Sequence, residues 1–311
     1  MKFIVLGAGA VGGYFGGRLA HAGVDVSFFV REKRAQLLRS NGLCVHSVHG
    51  DFSIEPSVIT TPSEVDKPDV VIVALKNYHL DAALPSLSAF VQKGAVLLPI
   101  LNGIKHVDTF IDMFGQSHVL GGTCTIESTL NQDGEIEHTS QMHDMVFGAF
   151  GEIDSSWLEE LENELKKGGF PIRQSNRIRY DMWQKFLFLT SLSSITAGTR
   201  QPIGAALSNP FTREFLKGLI SEGCRVARAV GIELPDTQES KMIQAMERLS
   251  PAMTSSLHRD MIKQLPIELD RLQGAMIEIA KSKNIDTPCF TSIYQLLNPY
   301  KDGGLAPLSL T

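Results

Sequence analysis

The sequence GAGAVG, from Gly7 to Gly12, has residue types and a spacing that could bind a phosphate. It fits the pattern G-x-G-x-x-G, which binds the pyrophosphate of a dinucleotide when it follows a strand and opens a helix. Gly7 would allow the tight turn, Gly9 would let the backbone approach the phosphates, and Gly12 would let helix and strand pack closely. The alternative is a Rossmann-type turn that binds no nucleotide. We expect a dinucleotide to contact Gly7, Ala8, Gly9, Ala10, Val11 and Gly12.

The residue after the second predicted strand indicates which dinucleotide is bound. Proteins that bind NAD usually carry Asp or Glu there, where the carboxylate holds the ribose hydroxyls. In this chain Phe28–Val30 is followed by Arg31, with Lys33 and Arg34 close by. The guanidinium of Arg31 could pair with a 2′-phosphate, although Glu32 could reach the ribose instead and Arg31 could be a solvated loop residue. The sequence therefore predicts NADP(H) as the cofactor rather than NAD(H).

Strands and helices in alternation would position this turn. Val11, Phe15 and Leu19 share one face of a predicted helix, and Glu32–Ser40 is a second helix that Asn41-Gly42 would end. Apolar runs of the kind found in strands buried on both faces surround these helices. They are Lys2–Leu6, Asp25–Val30, Asp69–Leu75 and Ala95–Leu101. The alternation predicts an α/β fold with an N-terminal Rossmann-type, doubly wound parallel sheet.

The signals become mostly helical in the second half of the chain. A hairpin with its turn at Asp133-Gly134 is predicted before this change. Ile178–Gly198 is a long helix candidate, and Glu268 would lie in the first turn of a later helix. Further helices are predicted to start at Asn209-Pro210, Pro266 and Thr287-Pro288. We therefore predict two domains: residues 1–172 with the NADP-binding sheet, and residues 173–311 as an all-α substrate and catalytic domain.

Composition and charge argue against two classes of partner. The net charge is −5 and no basic stripe is present, so we expect neither a nucleic acid nor an anionic membrane as partner. No segment reaches about 18 uninterrupted apolar residues, the length of a transmembrane helix. The apolar run Phe3–Ala10 lacks the charged region of a signal peptide and is interpreted as a strand. Apolar residues in the C-terminal helices allow a homodimer.

Cysteines and histidines predict no metal site. Cys44, Cys124, Cys224 and Cys289 form no CxxC pair, which favours reduced thiols in a cytoplasmic protein. His46 and His49 are three positions apart in a strand-like segment, where their rings would point to opposite faces. Such rings cannot bind one ion together.

Further stretches carry a resemblance to a known family. They are LKNYH at 75–79, LNG at 101–103, RYDMWQKF at 179–186, SSLHRD at 255–260 and PIELDRLQG at 266–274. Together with the glycine turn they resemble the ketopantoate reductase (2-dehydropantoate 2-reductase) family over nearly the whole chain. Two features make the resemblance specific: WQK opens a long helix, and Glu268 follows the Asp of SSxxxD by eight residues. The resemblance implies NADPH-dependent reduction of ketopantoate to pantoate, a step of pantothenate biosynthesis.

The resemblance also implies roles for single residues. Lys185 matches the proton donor of the family, whose ammonium stabilises and protonates the oxygen that hydride delivery leaves negative. Asn102 matches an asparagine that contacts nicotinamide ribose and substrate, and Glu268 matches an acidic residue near the nicotinamide and the catalytic lysine. These three are the predicted catalytic residues, and the last two also contact the cofactor. Lys76 matches a cofactor-binding lysine, and Ser256 matches a serine that binds the substrate carboxylate.

Two predicted substrate contacts depart from the family pattern. Members that reduce ketopantoate carry asparagines one and two turns after the catalytic lysine, where this chain has Leu189 and Ser193. Leucine cannot form a hydrogen bond and serine is shorter, and losing one polar contact to a substrate hydroxyl can lower the rate by a large factor. One alternative is therefore a reductase of another, more apolar 2-oxo acid. A second alternative is a protein that senses NADPH and catalyses nothing.

Overall fold

The structure is a computed structural model, and it describes residues 1–304. Contacts within the chain divide it into two units. The first unit comprises Met1–Leu101 and His106–Met182, and the second comprises Asn102–Lys105 and the chain from Trp183 onward. No helix within residues 1–304 combines the length and apolarity that crossing a membrane requires.

The first unit contains, within the described residues, the strands of two sheets. They are β1 Lys2–Leu6, β2 Asp25–Phe29, β3 Leu43–Ser47, β4 Phe52–Ile54, β5 Ser57–Ile59, β6 Val70–Val73, β7 Val96–Pro99, β8 Leu120–Leu130, β9 Ile136–Ala149 and β10 Ile172–Gln174. Five of them form a parallel sheet in the order β5-β2-β1-β6-β7. This arrangement confirms the predicted parallel sheet.

Helices cover both faces of the parallel sheet. They are α1 Ala10–His21, α2 Glu32–Asn41, α3 Leu80–Gln92 and α4 Lys105–Phe114, whereas α5 Ser155–Lys166 packs on β10. Phe3 and Val5 of β1 share a core with Phe15 of α1, whereas Ile4 shares the opposite core with Phe90 of α3. Successive residues of a strand point to opposite faces, so an unbroken apolar run is what a sheet covered on both sides requires. The doubly wound class predicted from these runs is confirmed.

A second, mixed sheet completes the first unit. Its order is β10-β9-β3-β4, and β8 pairs with β9 in an antiparallel hairpin. The hairpin turns at Asp133-Gly134 as predicted, and Gly134 has φ = +80°, a conformation that favours glycine. The sequence predicts only the hairpin, because the parallel pairing of β3 with β9 joins residues as distant as Val45 and Ile136.

Stacked histidines fasten α1 to this second sheet. The His49 ring stacks on His143 with centroids 3.8 Å apart, and His138 lies 5.9 Å from His143. On α1, the Tyr14 hydroxyl is 2.8 Å from His143 Nδ1. The helix that the glycine turn opens is therefore held on the side facing away from the parallel sheet.

His46 takes no part in this stack. Its two ring nitrogens lie 3.3 Å from carboxylate oxygens of Asp51 and Glu135. These hydrogen bonds raise the pKa of His46, whose ring is largely exposed. The ring of His49 faces His143 instead, so the two histidines of the strand-like segment have separate neighbours.

The second unit is helical throughout its described part, which confirms the predicted helical C-terminal region. Its helices are α6 Ile178–Thr199, α7 Ile203–Ser208, α8 Pro210–Ala229, α9 Gln238–Glu247, α10 Ser256–Ile262, α11 Ala275–Ser282 and α12 Pro288–Leu297, and α6 begins in the first unit. The side chain of Asn209 caps α8 by accepting hydrogen bonds from the N–H groups of Phe211 and Thr212. Pro210 takes the first helical position, where no N–H is needed.

The segment after Pro266 differs from the prediction. No helix starts at Pro266; a π-helical turn covers Asp270–Gly274 and leads into α11. The backbone before this turn is paired with a distant segment instead, since the N–H of Ile267 donates to the carbonyl of Lys301 at 2.9 Å. Glu268 therefore lies before the helical turn, and its predicted place in a first helical turn is wrong. Single π turns occur often at functional sites.

The stacked histidines predict acid sensitivity. Burial, followed by the neighbouring His49 and His138, lowers the pKa of His143 from 6.5 to about 4. Between these values the unfolded chain binds a proton that the folded chain does not, so stability present above pH 6.5 is lost as the pH falls towards 4. We expect this group to remove at most about 3 kcal/mol from the free energy of unfolding over that range.

Urea unfolding at several pH values tests this expectation. In His143→Gln the free energy of unfolding should fall less between pH 6.5 and 4 than in the wild type. His46→Gln is the control, because its exposed ring lies outside the stack; its fall should be at least as large as that of the wild type, since the raised pKa of His46 adds stability at low pH. An equal fall in the wild type and His143→Gln would contradict the assignment.

Candidate functional site

The glycine-rich turn connects the end of β1 to the start of α1. Gly7 has φ = +101°, and its N–H donates to the carbonyl of Phe29 at 3.1 Å, which ties the turn to β2. A Cβ placed on Gly12 would stand 2.1 Å from the carbonyl oxygen of Gly7. Helix and strand therefore meet backbone to backbone, which is the packing that the pattern G-x-G-x-x-G requires.

Gly9 has different surroundings. A Cβ placed on it would meet no atom within 4 Å, and Gly9 is the N-cap of α1 with no side-chain hydrogen bond of its own. The first N–H groups of a helix have no acceptor inside the helix, and the dipole adds positive potential there. The turn thus offers open space and N–H donors together, and these residues fit a pyrophosphate.

Two basic residues follow the strands that flank β1. Arg31, an exposed residue, is the N-cap of α2 just after β2, and the half-buried Lys76 precedes the 3₁₀ turn Asn77–His79 after β6. Burial and then the charge of Arg31 lower the pKa of His79, which closes that turn. Both basic residues lie at the carboxyl edge of the parallel sheet with the glycine turn, where open α/β sheets bind their ligands.

Arg34 is a residue to which the sequence pattern assigned no role. Its Nε donates to the carbonyl of Ala8 at 3.1 Å, and its Nη1 donates to the carbonyl of Gly134 at 3.0 Å. Burial lowers its pKa. The only signal in the sequence was its place three residues after Arg31, since hydrogen bonds to carbonyl groups leave no pattern.

In the second unit, two of the predicted catalytic residues are hydrogen-bonded to each other. Asn102 Nδ2 donates to Glu268 Oε2 at 3.2 Å, and Glu268 is buried. Gly103 has φ = +81°, and a Cβ on it would lie 2.7 Å from the carbonyl oxygen of Arg271. Gly103, the residue after Asn102, thus allows the segment of Asn102 to pack closely on the π turn.

Lys185, the third predicted catalytic residue, belongs to the same unit, on α6. Lys185, Leu189 and Ser193 are spaced by four residues, so they share one face of the helix. Lys185 and Leu189 are half-buried, whereas Ser193 is buried. The Ser193 hydroxyl donates to the carbonyl of Leu189 and accepts from Gln273 Nε2, both at 2.7 Å. Gln273, which the sequence did not single out within PIELDRLQG, thus engages the hydroxyl predicted to contact the substrate.

Ser256 is the first residue of α10 and is half-buried. The residue before it, Ser255, accepts a hydrogen bond from the N–H of His258 at 3.1 Å and so caps this helix. The hydroxyl of Ser255 is also 2.9 Å from that of Thr196 on α6. The start of α10, with Ser256, is therefore attached to the helix that carries Lys185.

Two models of one protein family match most of the chain. Residues 3–152 match the family model described as ketopantoate reductase PanE/ApbA, and residues 177–301 match the model of its C-terminal part. The chain belongs to the ketopantoate reductase family. The resemblance predicted from the sequence motifs is confirmed, and the family is one of oxidoreductases.

The similarity to individual proteins covers almost the whole chain. The chain is 37% identical over 301 residues to YkpB of Bacillus subtilis (strain 168), named an uncharacterized oxidoreductase, and the match covers 97% of this chain and 99% of YkpB. It is 27% identical over 297 residues to a 2-dehydropantoate 2-reductase of Pyrococcus abyssi, covering 96% and 97% of the two chains. Its fold matches a crystal structure of 2-dehydropantoate 2-reductase from Geobacter metallireducens GS-15 with TM-score 0.88 at 24% identity, covering 96% and 99%.

The two glycines of the turn should respond differently to the same substitution. Gly12→Ala forces a Cβ against the carbonyl of Gly7, and we expect it to lower the free energy of unfolding by about 1–3 kcal/mol. Gly9→Ala meets open space at φ = −81°, so it should cost only the weaker capping by alanine, about 0.5–1 kcal/mol. Urea denaturation of both variants measures the difference; equal losses would contradict the close approach at Gly12.

Proposed function

We propose that this chain catalyses the NADPH-dependent reduction of a small 2-oxo acid, with ketopantoate giving pantoate as the first candidate. The hydrogen bond between Asn102 and Glu268 carries the proposal, because it joins two residues that the family resemblance makes catalytic. The third, Lys185, belongs to the same unit. The Pyrococcus abyssi relative supports ketopantoate as substrate, while the Bacillus subtilis relative supports only an oxidoreductase.

The first unit would hold the cofactor. The turn from Gly7 to Gly12 would bind the pyrophosphate through the N–H groups at the start of α1. Arg31 would pair with the 2′-phosphate, and Lys76 would contact the cofactor from the end of β6. When bound, NADPH supplies a hydride to the keto carbon.

The second unit would supply the groups that act on the substrate. The Lys185 ammonium would stabilise the negative charge on the keto oxygen and then donate its proton to that oxygen, which completes a 2-hydroxy acid. The Glu268 carboxylate accepts from Asn102 and would keep that amide turned towards the reacting groups. Ser256 would bind the carboxylate of the substrate.

A second candidate is a reductase of a more apolar 2-oxo acid. Leu189 offers no hydrogen-bonding group, and the hydroxyl of Ser193 already accepts from Gln273. A site with these two side chains offers a substrate hydroxyl fewer polar partners than one with two asparagines. Such a site would gain little binding energy from the hydroxyl group of ketopantoate, which apolar 2-oxo acids lack.

A panel of 2-oxo acids tests both candidates. NADPH oxidation is followed with ketopantoate and with acids that carry straight, branched or aromatic side chains. The highest kcat/KM with ketopantoate supports the first candidate, and the highest value with an apolar acid supports the second. Tight NADPH binding without turnover of any acid would reject the reductase and indicate a sensor.

Replacing Lys185 separates catalysis from cofactor binding. Lys185→Ala should lower kcat by about a hundred- to ten-thousandfold, because a positioned proton donor is lost. The Kd of NADPH should change less than about twofold, since the proposed phosphate contacts are untouched. Lys217→Ala is a control for the loss of an ammonium, because Lys217 is exposed and pairs with Glu214 on α8. Near wild-type turnover in Lys185→Ala would remove this residue from the mechanism.

Replacing Arg31 tests the choice of cofactor. Arg31→Gln should raise the Kd of NADPH by about ten- to a hundredfold, because charge-assisted hydrogen bonds to the 2′-phosphate are lost. The Kd of NADH should stay the same, since NADH lacks that phosphate. A wild-type enzyme with a clear preference for NADH in KM would contradict the assignment.

The proposal also concerns the cellular location of the protein and its assembly. It places the protein in the cytoplasm, a compartment in which its four free cysteines would stay reduced. The homodimer allowed by the apolar C-terminal helices is open to measurement by sedimentation.

A further inference from the structure

We propose that Arg34 is a positioning residue of the dinucleotide site, which orients the peptide between Ala8 and Gly9 so that the Gly9 N–H faces the pyrophosphate. The inference rests on the proposed binding of NADP(H) to the turn from Gly7 to Gly12. It assigns to Arg34 a function that both NADPH and NADH would need, in contrast to Arg31.

The guanidinium of Arg34 joins three parts of the first unit. From α2, its Nε donates to the carbonyl of Ala8 in the glycine turn at 3.1 Å, and its Nη1 donates to the carbonyl of Gly134 in the hairpin turn at 3.0 Å. A guanidinium is a rigid, planar fork, so two bonds from it fix the directions of both carbonyl groups. The side chain is half-buried, whereas Arg31 and Lys33 beside it are exposed.

The position of one carbonyl decides where the next N–H points. A trans peptide is planar, and its C=O and N–H point in opposite directions. Holding the carbonyl of Ala8 on the α2 side therefore turns the Gly9 N–H to the other side of the turn. Within residues 1–304 this N–H donates to no acceptor, and a Cβ on Gly9 would meet no atom within 4 Å. The donor and the open space are thus arranged for a ligand group.

The charge of Arg34 has a second effect. A carbonyl oxygen carries partial negative charge, and an oxygen of Ala8 pointing into the turn would repel a pyrophosphate. The guanidinium holds this oxygen away and offsets its charge. Arg34 does this from behind the backbone, so its effect does not depend on the ribose that carries the 2′-phosphate.

Gly134 makes the arrangement sterically possible. A Cβ on this residue would lie 2.8 Å from Arg34 Nη1 and 2.7 Å from Leu37 Cδ2. Its φ of +80° also favours glycine. The hairpin turn therefore reaches the guanidinium only because this residue has no side chain, and Gly134→Ala should disturb Arg34 without touching the glycine turn.

Binding measurements on the ligand-free protein test the proposal. Titration calorimetry gives the Kd of NADPH and of NADH for the wild type and each variant, and thermal unfolding without ligand reports the fold. Arg34→Gln should raise both Kd values by the same factor, about tenfold, as one charge-assisted hydrogen bond lost by the turn would do. Arg34→Lys keeps the charge but reaches one carbonyl, so its Kd values should fall between those of the wild type and Arg34→Gln.

Two further variants separate position from charge. Arg39→Gln is the matched control on α2, because Arg39 is exposed and pairs with Glu32, and it should leave both Kd values within about twofold of the wild type. Gly134→Ala should raise both Kd values together, as Arg34→Gln does. Arg31→Gln should raise only the Kd of NADPH.

Each outcome decides the matter. Wild-type affinities in a folded Arg34→Gln would overturn the proposal, and so would a loss confined to NADPH, which would make Arg34 a direct contact of the 2′-phosphate. If Arg34→Gln does not fold, Arg34→Lys decides, and unchanged affinities for both dinucleotides in that variant overturn the proposal. A wild-type protein that binds neither dinucleotide would overturn the proposed function itself, and the role of Arg34 with it.

Discussion

The first unit is organised around one backbone contact, the approach of Gly12 on α1 to the carbonyl of Gly7 at the end of β1. Only glycine fits there, because a Cβ would come within 2.1 Å of that oxygen. The contact brings the first turn of α1 over the edge of the parallel sheet. On its other side the same helix is held by Tyr14 against His143 of the second sheet. With both sides of α1 fixed, its unpaired N–H groups keep one direction, which anion binding requires.

The second unit has a similar close backbone approach, allowed by a glycine, near Glu268. Gly103 lets the segment of Asn102 approach the π turn, and Glu268 receives the amide hydrogen bond just before that turn. Near its end, Gln273 donates to the hydroxyl of Ser193 and to the carbonyl of Thr190 on α6. The π turn, with Glu268 two residues before it, therefore connects the Asn102 segment to the helix of Lys185. An ordinary helix from Pro266 would give Glu268 and Gln273 a different angular separation.

The sequence predicts those features that local patterns encode. The central strands β1, β6 and β7 of the parallel sheet are almost wholly apolar runs, and Gly7 and Gly12 mark the turn. The second sheet, the stack around His143 and the π turn depend on pairings between distant residues, such as Ile267 with Lys301, that no local pattern contains. The sequence predicts no separate role for Arg34, because its partners are carbonyl groups, which every residue has. The proposed catalytic residues were identified through a family resemblance, since a lysine on an amphipathic helix has no distinctive spacing.

The hydrogen bond between Ser193 and Gln273 couples two positions of the second unit. Leu189 contributes no hydrogen bond of its own through its side chain, so it can be exchanged alone. Ser193 cannot be exchanged alone. A larger amide at this position would need space next to Gln273 and would remove the hydroxyl that accepts from Gln273 Nε2. Substitutions at positions 193 and 273 should therefore be strongly non-additive. If Ser193 contacts the substrate as proposed, a change of substrate through position 193 would need a compensating change at position 273.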